Sequence, residues 1–414
     1  GSVRCAALRM NSSLKCKHHN PVPSNDRMIK SILRNKLSRY VALPIIALAL
    51  LVVLGGGWYF SSVLEEDGLR VDNSEPENSV EVVDLGIDSI TLRQLPDADP
   101  QEILATSARW GLTDGLNYGQ LGDLLSDADG LVTRELDLKL GGFQIGDKLY
   151  LDRTAFPHEP SPEFEYEDVV ISGPLGNFGA WYLPIPPEST YASAPSDVWA
   201  IYVHGRTSNR DSSLKIIDIG AVPSLAIDYR NDLNAPVSES GYYDFGTTEW
   251  RDVEAAVQYA LDNGAKKVIL VGFSMGGGVV VNYQLRSDLA DHTVAMILEA
   301  PMLNFGQTVD KGAEERSVPA PITFAAKAFA TIRFGVDWGA LDFLSRADEI
   351  DVPVLLIHGE ADDTVPVETS IEFADALPGL VELHTFPDVG HVAAWNWHPS
   401  EYTILVREFI ERFR

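Results

Sequence analysis

From residue 168 onward, short unbroken apolar runs alternate with longer segments whose apolar residues recur every three or four positions. Apolar runs at 169–172, 180–183, 198–203, 224–228, 267–273, 293–298, 352–357 and 381–386 read as strands. The segments 250–263, 275–286, 369–376 and 400–413 read as helices. Strands that are apolar throughout must be covered on both sides, so the pattern predicts an α/β fold: a mostly parallel central sheet with helices on both faces. Ligands of such sheets bind at the carboxyl ends of the strands. Residues 304–344 interrupt the alternation with an Ala/Phe-rich stretch, Phe324-Ala325-Ala326-Lys327-Ala328-Phe329-Ala330, and form a candidate lid.

The first 167 residues follow another pattern. Residues 41–63 contain no charged side chain and end near Trp58-Tyr59-Phe60. As a helix this run would be about 34 Å long, enough for a hydrocarbon core. Pro44 would occupy its first turn, where a missing N–H is tolerated. A cleaved signal peptide is the competing expectation, but Gly55-Gly56-Gly57-Trp58-Tyr59 offers no small-x-small cleavage site. Residues 64–95 are acidic and predict a spacer. Residues 96–167 predict a small accessory module, helical near 100–110 and turn-rich at Gly141-Gly142. Residues 168–414 would form the main domain.

Charge divides the chain at the apolar run. Residues 1–40 hold nine Lys/Arg and one acid, Asp26, a net of +8, which leaves 32 − 9 = 23 basic and 60 − 1 = 59 acidic residues, a net of −36. The basic flank orients the N-terminus toward the cytoplasm and the acidic bulk outside it, as a single-pass membrane protein. A surface this acidic argues against a nucleic-acid partner. Both cysteines, Cys5 and Cys16, precede the apolar run, so the exported part forms no disulfide. Cys16 with His18-His19 supplies too few ligands for a metal, and a disordered tail is expected there; Met28 is an alternative start.

The candidate chemistry begins at Gly272-Phe273-Ser274-Met275-Gly276, directly after a buried strand and before a helix. That layout is a nucleophile elbow, in which the serine hydroxyl stands at the carboxyl edge of the sheet. Serine needs a base within hydrogen-bond reach and an acid to orient that base, in the chain order Ser, acid, His. Asp362 follows the next-to-last strand and His391 follows the last. Asp363 and Glu299 are alternative acids, while His358 reads as a loop cap and His398 as the start of the final helix. A tetrahedral intermediate needs two N–H donors, for which Met275 and Arg206 are the candidates, with Thr207 second to Arg206. No cofactor or metal is called for.

Together Val203-His204-Gly205, Asp228-Tyr229-Arg230, the serine pentapeptide, His358-Gly359 with Asp362, and Gly390-His391 resemble the α/β-hydrolase superfamily from about 169 to 414. Asp228-Tyr229-Arg230-Asn231-Asp232 and Thr248-Glu249-Trp250-Arg251-Asp252 further resemble exported or membrane-anchored bacterial members of the prolyl-oligopeptidase-like and serine-aminopeptidase-like branch. The resemblance implies Ser274 as nucleophile, Asp362 as orienting acid and His391 as base. The first expectation is a carboxylic-ester hydrolase acting on a small ester or acyl substrate. A serine peptidase with the same triad, or a catalytically silent envelope-binding domain, are the alternatives. Oligomeric state is not legible in the sequence.

Overall fold

The computed structural model describes residues 25–74, 76–96, 98, 102–160, 165–185, 196–217, 219 and 222–414, with side chains from residue 40 onward. The chain divides into two compact units, Gly1–Gly56 and Gly57–Arg414. Among the described residues the first unit is a stretch of one helix, α1 (Asn25–Leu64). The segment expected as a disordered tail is thus helical from Asn25; its earlier part, with Cys5, Cys16 and His18-His19, lies outside the described residues. Pro44 consequently sits inside the helix rather than in its first turn. Tyr40–Leu69 is long and apolar enough to cross a membrane.

Six strands, β1 (Val80–Leu85), β2 (Ser89–Gln94), β3 (Trp110–Thr113), β4 (Tyr118–Ala128), β5 (Leu131–Leu140) and β6 (Lys148–Asp152), close an antiparallel barrel in the order β1-β2-β5-β4-β3-β6. Val80, Val82, Ile90 and Leu92 alternate into its core with Leu112, Leu121 and Leu149. Two expectations are corrected here. Residues 64–95 are not a spacer, because β1 and β2 lie in them. The helix expected near 100–110 is, among the described residues, one 3₁₀ turn (Glu102–Ala105) before β3. The acidic side chains that suggested a spacer, such as Glu81 and Asp84, occupy the outward positions of a strand whose alternate residues are buried.

The second sheet has eight strands: β7 (Glu167–Gly173), β8 (Gly176–Leu183), β9 (Val198–Val203), β10 (Ser224–Ile227), β11 (Lys267–Phe273), β12 (Thr293–Glu299), β13 (Val354–Gly359) and β14 (Val381–Phe386). Their order is β14-β13-β12-β11-β9-β10-β8-β7. The strands β9 to β14 run parallel, while β8 and β7 pair antiparallel at the edge. The central strands bury both sides. Ile201, Val203 and Leu270 enter one core with α2 (Trp250–Asp262) and α3 (Met275–Arg286), whereas Tyr202, Ile269 and Val271 enter the other.

After β12 come α4 (Phe305–Glu315) and α5 (Ala320–Phe334), within the stretch expected as a lid. The first core continues with α6 (Val367–Ala376). The second core is completed by α7 (Ala394–Trp397) and α8 (Pro399–Ile410). The barrel joins that second side: Asn396 Nδ2 donates to the carbonyls of Arg109 (2.7 Å) and Arg153 (2.9 Å).

The short helical turn that continues α1, Glu65–Leu69, is also built into this unit. Leu69 is buried in the first core, and the Tyr243 N–H donates to its carbonyl at 2.8 Å. The chain therefore passes from helix to domain with no free spacer at this point.

Candidate active site

Register sets the site. In the sheet β11 lies between β9 and β12, with Gly272 opposite Val203 and Phe273 opposite Glu299. The chain leaves β11 and enters α3 through Ser274 alone, at φ 52° and ψ −118°. A non-glycine residue held there stores about 1–3 kcal/mol of backbone strain. The turn is closed by its flanking glycines. A Cβ on Gly276 would fall 2.2 Å from the Val203 carbonyl oxygen, and one on Gly272 would fall 2.7 Å from that of Gly276.

Three of the residues singled out in the sequence meet at this edge. Ser274 Oγ lies 2.8 Å from His391 Nε2, and His391 Nδ1 lies 2.7 Å from Asp362 Oδ2. Asp362 is buried and its Oδ1 accepts from the Thr364 and Val365 N–H groups, both at 2.8 Å. Burial pushes its carboxyl pKa up, but hydrogen bonds from His358 and His391 outweigh that and hold it well below the usual carboxylate range. An ionised acceptor at Nδ1 fixes the imidazole proton there, which leaves Nε2 to accept from the serine hydroxyl.

The alternative acids and His398 do not join this chain of contacts. Asp363 is exposed and accepts from Thr364 Oγ1. Glu299 is buried in a separate network, accepting from Tyr402 OH at 2.8 Å and the Ala394 N–H at 3.1 Å. His398 stacks on Phe386. Met275 is the first residue of α3, where an N–H has no intrahelical partner. Arg206 lies on the loop after β9; its neighbour Gly205 passes so close to Ser274 that a Cβ there would be 3.1 Å from the serine Cβ. Thr207, next along, has φ 53°.

Two further histidines hold the site in place. His358 Nε2 contacts Asp362 Oδ2 at 3.1 Å and the Val365 carbonyl at 3.3 Å, while Nδ1 faces Ser370 Oγ at 2.7 Å. Its position four residues before Asp362 was the available signal. His204 is buried, stacked on Tyr229 at 4.3 Å, and bonded to Asp232 (2.8 Å) and to the Gly205 carbonyl (2.9 Å). It thereby ties down the loop that carries Arg206. Among the described residues no three His, Cys, Asp or Glu side chains gather where a metal could be held.

A cavity of about 480 Å³ includes Ser274, Met275 and Arg206 in its wall. Phe305 and Val309 of α4 and Ala326 of α5 supply apolar surface to it.

Over residues 237–412 the chain matches the prolyl oligopeptidase family. It is similar to 2-hydroxy-6-oxononadienedioate/2-hydroxy-6-oxononatrienedioate hydrolase of Klebsiella pneumoniae, 35% identical over 71 residues, which are 17% of this chain and 24% of that protein. It is also similar to AB hydrolase superfamily protein YisY of Bacillus subtilis, 26% identical over 37% of this chain and 69% of that one. The match thus spans about a quarter of the length of the Klebsiella relative. Among solved structures, the Pyrococcus furiosus esterase Pf2001 is similar with a TM-score of 0.48 and 25% identity, over 60% of this chain and 91% of that one. The parallel strands β9 to β14, the strained serine turn between β11 and α3, and the family match place the chain in the α/β-hydrolase superfamily, with residues 237–412 similar to the prolyl oligopeptidase family.

Proposed function

We propose that the protein is a serine hydrolase that cleaves carboxylic esters, with Ser274 as nucleophile, His391 as base and Asp362 as orienting acid. The observation that carries this reading is the unbroken chain of contacts from Ser274 Oγ to His391 (2.8 Å) to Asp362 (2.7 Å) at the wall of a cavity with apolar lining. As Oγ attacks the ester carbonyl, His391 Nε2 takes its proton and the resulting imidazolium is stabilised by Asp362. The carbonyl electron pair becomes an oxyanion, received by the Met275 and Arg206 N–H groups. Its collapse breaks the C–O bond, and His391 returns the proton to the departing alcohol. Water then repeats the sequence on the acyl-enzyme and releases the acid.

A serine peptidase with the same three residues is the second reading, favoured by the prolyl oligopeptidase match and by Glu315 and Asp363, acids at the cavity that suit a substrate amine. Parallel assays with short p-nitrophenyl esters and aminoacyl anilides decide between the two. Ser274→Ala is expected to lower ester turnover roughly 10³-fold or more and to abolish labelling by a fluorophosphonate probe. Undiminished turnover in that variant, or anilides cleaved in preference to esters, would overturn the ester reading.

The same proposal includes an uncleaved membrane anchor, with the N-terminus cytoplasmic and the catalytic domain outside. The charge asymmetry supports the orientation. Retention is supported by the packing of the last turns of α1 on the domain: Arg333 Nη1 donates to Ser61 Oγ (2.5 Å), Ser62 Oγ (2.8 Å) and the Trp58 carbonyl (3.1 Å).

A further inference from the structure

We propose, resting on the serine hydrolase reading above, that the substrate is a long-chain acyl ester of a neutral lipid, drawn from a bilayer along the junction of α1 and α5. The last turns of α1 belong to the cavity wall, since Phe60, Val63 and Leu64 line the space that contains Ser274. They are held against α5 at close range. A Cβ on Gly57 would fall 2.5 Å from Ala325 Cβ, Trp58 meets Phe329 edge-on at 5.5 Å, and the Arg333 guanidinium covers the Trp58 ring at 4.1 Å. Small residues that let two helices touch are what a tight helix pair requires.

The outward stripe of α5 has the same character. Pro321, Phe324, Ala328 and Ile332 are exposed, Phe324 at 77% and Ile332 at 78%. Neither cation of α5 lies on that stripe: Lys327 donates to the Gly306 carbonyl (2.7 Å), and Arg333 turns to α1. An uncharged stripe on a helix packed against the end of a membrane-length apolar helix fits contact with lipid. The absence of a free spacer after Leu64 keeps the cavity beside that end of the chain.

The physical consequence concerns transfer. Pulling an acyl chain from hydrocarbon through water exposes each methylene in turn and is disfavoured in proportion to its length. An apolar wall contiguous with the helix that leaves the bilayer removes the aqueous step. The net −36 of residues 41–414 repels anionic headgroups, which argues against an anionic lipid as the substrate.

The test uses the full chain in phosphatidylcholine vesicles. Hydrolysis of 4-methylumbelliferyl oleate carried in the vesicles is compared with that of soluble p-nitrophenyl butyrate, for the wild type and for Phe324→Asp/Ile332→Asp. The oleate is expected to be cleaved with at least a 10-fold higher kcat/KM. The oleate-to-butyrate ratio is expected to fall at least 10-fold in the double variant, with folding checked by circular dichroism. A second pair, Phe324→Ser/Ile332→Ser, should lower the ratio by a smaller factor and covers the case in which the aspartates prevent folding. Preference for butyrate, or a ratio unchanged in a folded variant, overturns the lipid assignment while Ser274 labelling and butyrate cleavage leave the hydrolase reading standing. Loss of labelling together with inactivity on esters and anilides overturns both.

Discussion

His358 and His391 share one oxygen: Asp362 Oδ2 lies 3.1 Å from His358 Nε2 and 2.7 Å from His391 Nδ1. The first imidazole is fully buried and the second lies between carboxylate and serine. His358 Nε2 faces only acceptors, Asp362 and the Val365 carbonyl, so it carries a proton, and Ser370 donates to Nδ1. Asp362 is thus oriented from behind by a residue that does not reach the serine.

His358 is therefore expected to be a positioning residue. His358→Leu removes a charge-assisted bond worth on the order of 1–2 kcal/mol. In the ester assay kcat should fall about 10-fold with KM within about twofold, and His358→Gln, which keeps a donor, should recover part of the loss. Equal effects of Leu and Gln on kcat would show that only packing matters at this position.

The serine turn stores strain that can be measured without activity. At φ 52° an alanine in place of Ser274 keeps the unfavourable Cβ, whereas glycine does not. Ser274→Gly should be more stable than Ser274→Ala by about 1 kcal/mol in denaturant unfolding, although both are inactive. A more stable alanine variant would mean that the turn relaxes when its hydroxyl is lost.

Gly276→Ala should be far more damaging than its size suggests. The new Cβ would sit 2.2 Å and 2.3 Å from the carbonyl oxygens of Val203 and His204, both backbone atoms that side-chain motion cannot move. A loss of about 3 kcal/mol or more is expected, with a matching fall in Tm. Wild-type stability would indicate a looser elbow.

The His204–Asp232 pair predicts a pH dependence of stability. Burial pulls the His204 pKa down, but the Asp232 charge and the bonds to Asp232 and Gly205 outweigh it, so the folded value lies above the ordinary one. A raised histidine pKa stabilises fully below the unfolded value, about 6.5, and that contribution is lost as pH rises through the folded value. His204→Gln should accordingly be less stable than wild type by about 3 kcal/mol at pH 6, and the difference should shrink toward pH 9. A gap of constant size would show that the ring does not change its protonation state over that range.

The apolar runs, the Gly-x-Ser-x-Gly turn and the order serine, aspartate, histidine are properties of consecutive residues. The eight strands of the second sheet and the place of Ser274 could therefore be read from the chain alone. The same local logic failed at β1 and β2, where acidic outward positions obscured the buried alternation of Val80, Val82, Ile90 and Leu92. It also could not choose among Asp362, Asp363 and Glu299. That choice depends on which way a carboxylate points after its strand: Asp362 turns to His391, Asp363 to solvent, and Glu299 to Tyr402. Only tertiary packing brought His358 behind Asp362 and set Phe60 and Val63 in the wall of the cavity containing Ser274. Those relations join residues tens to hundreds of positions apart through side-chain directions and helix contacts, which no local pattern encodes.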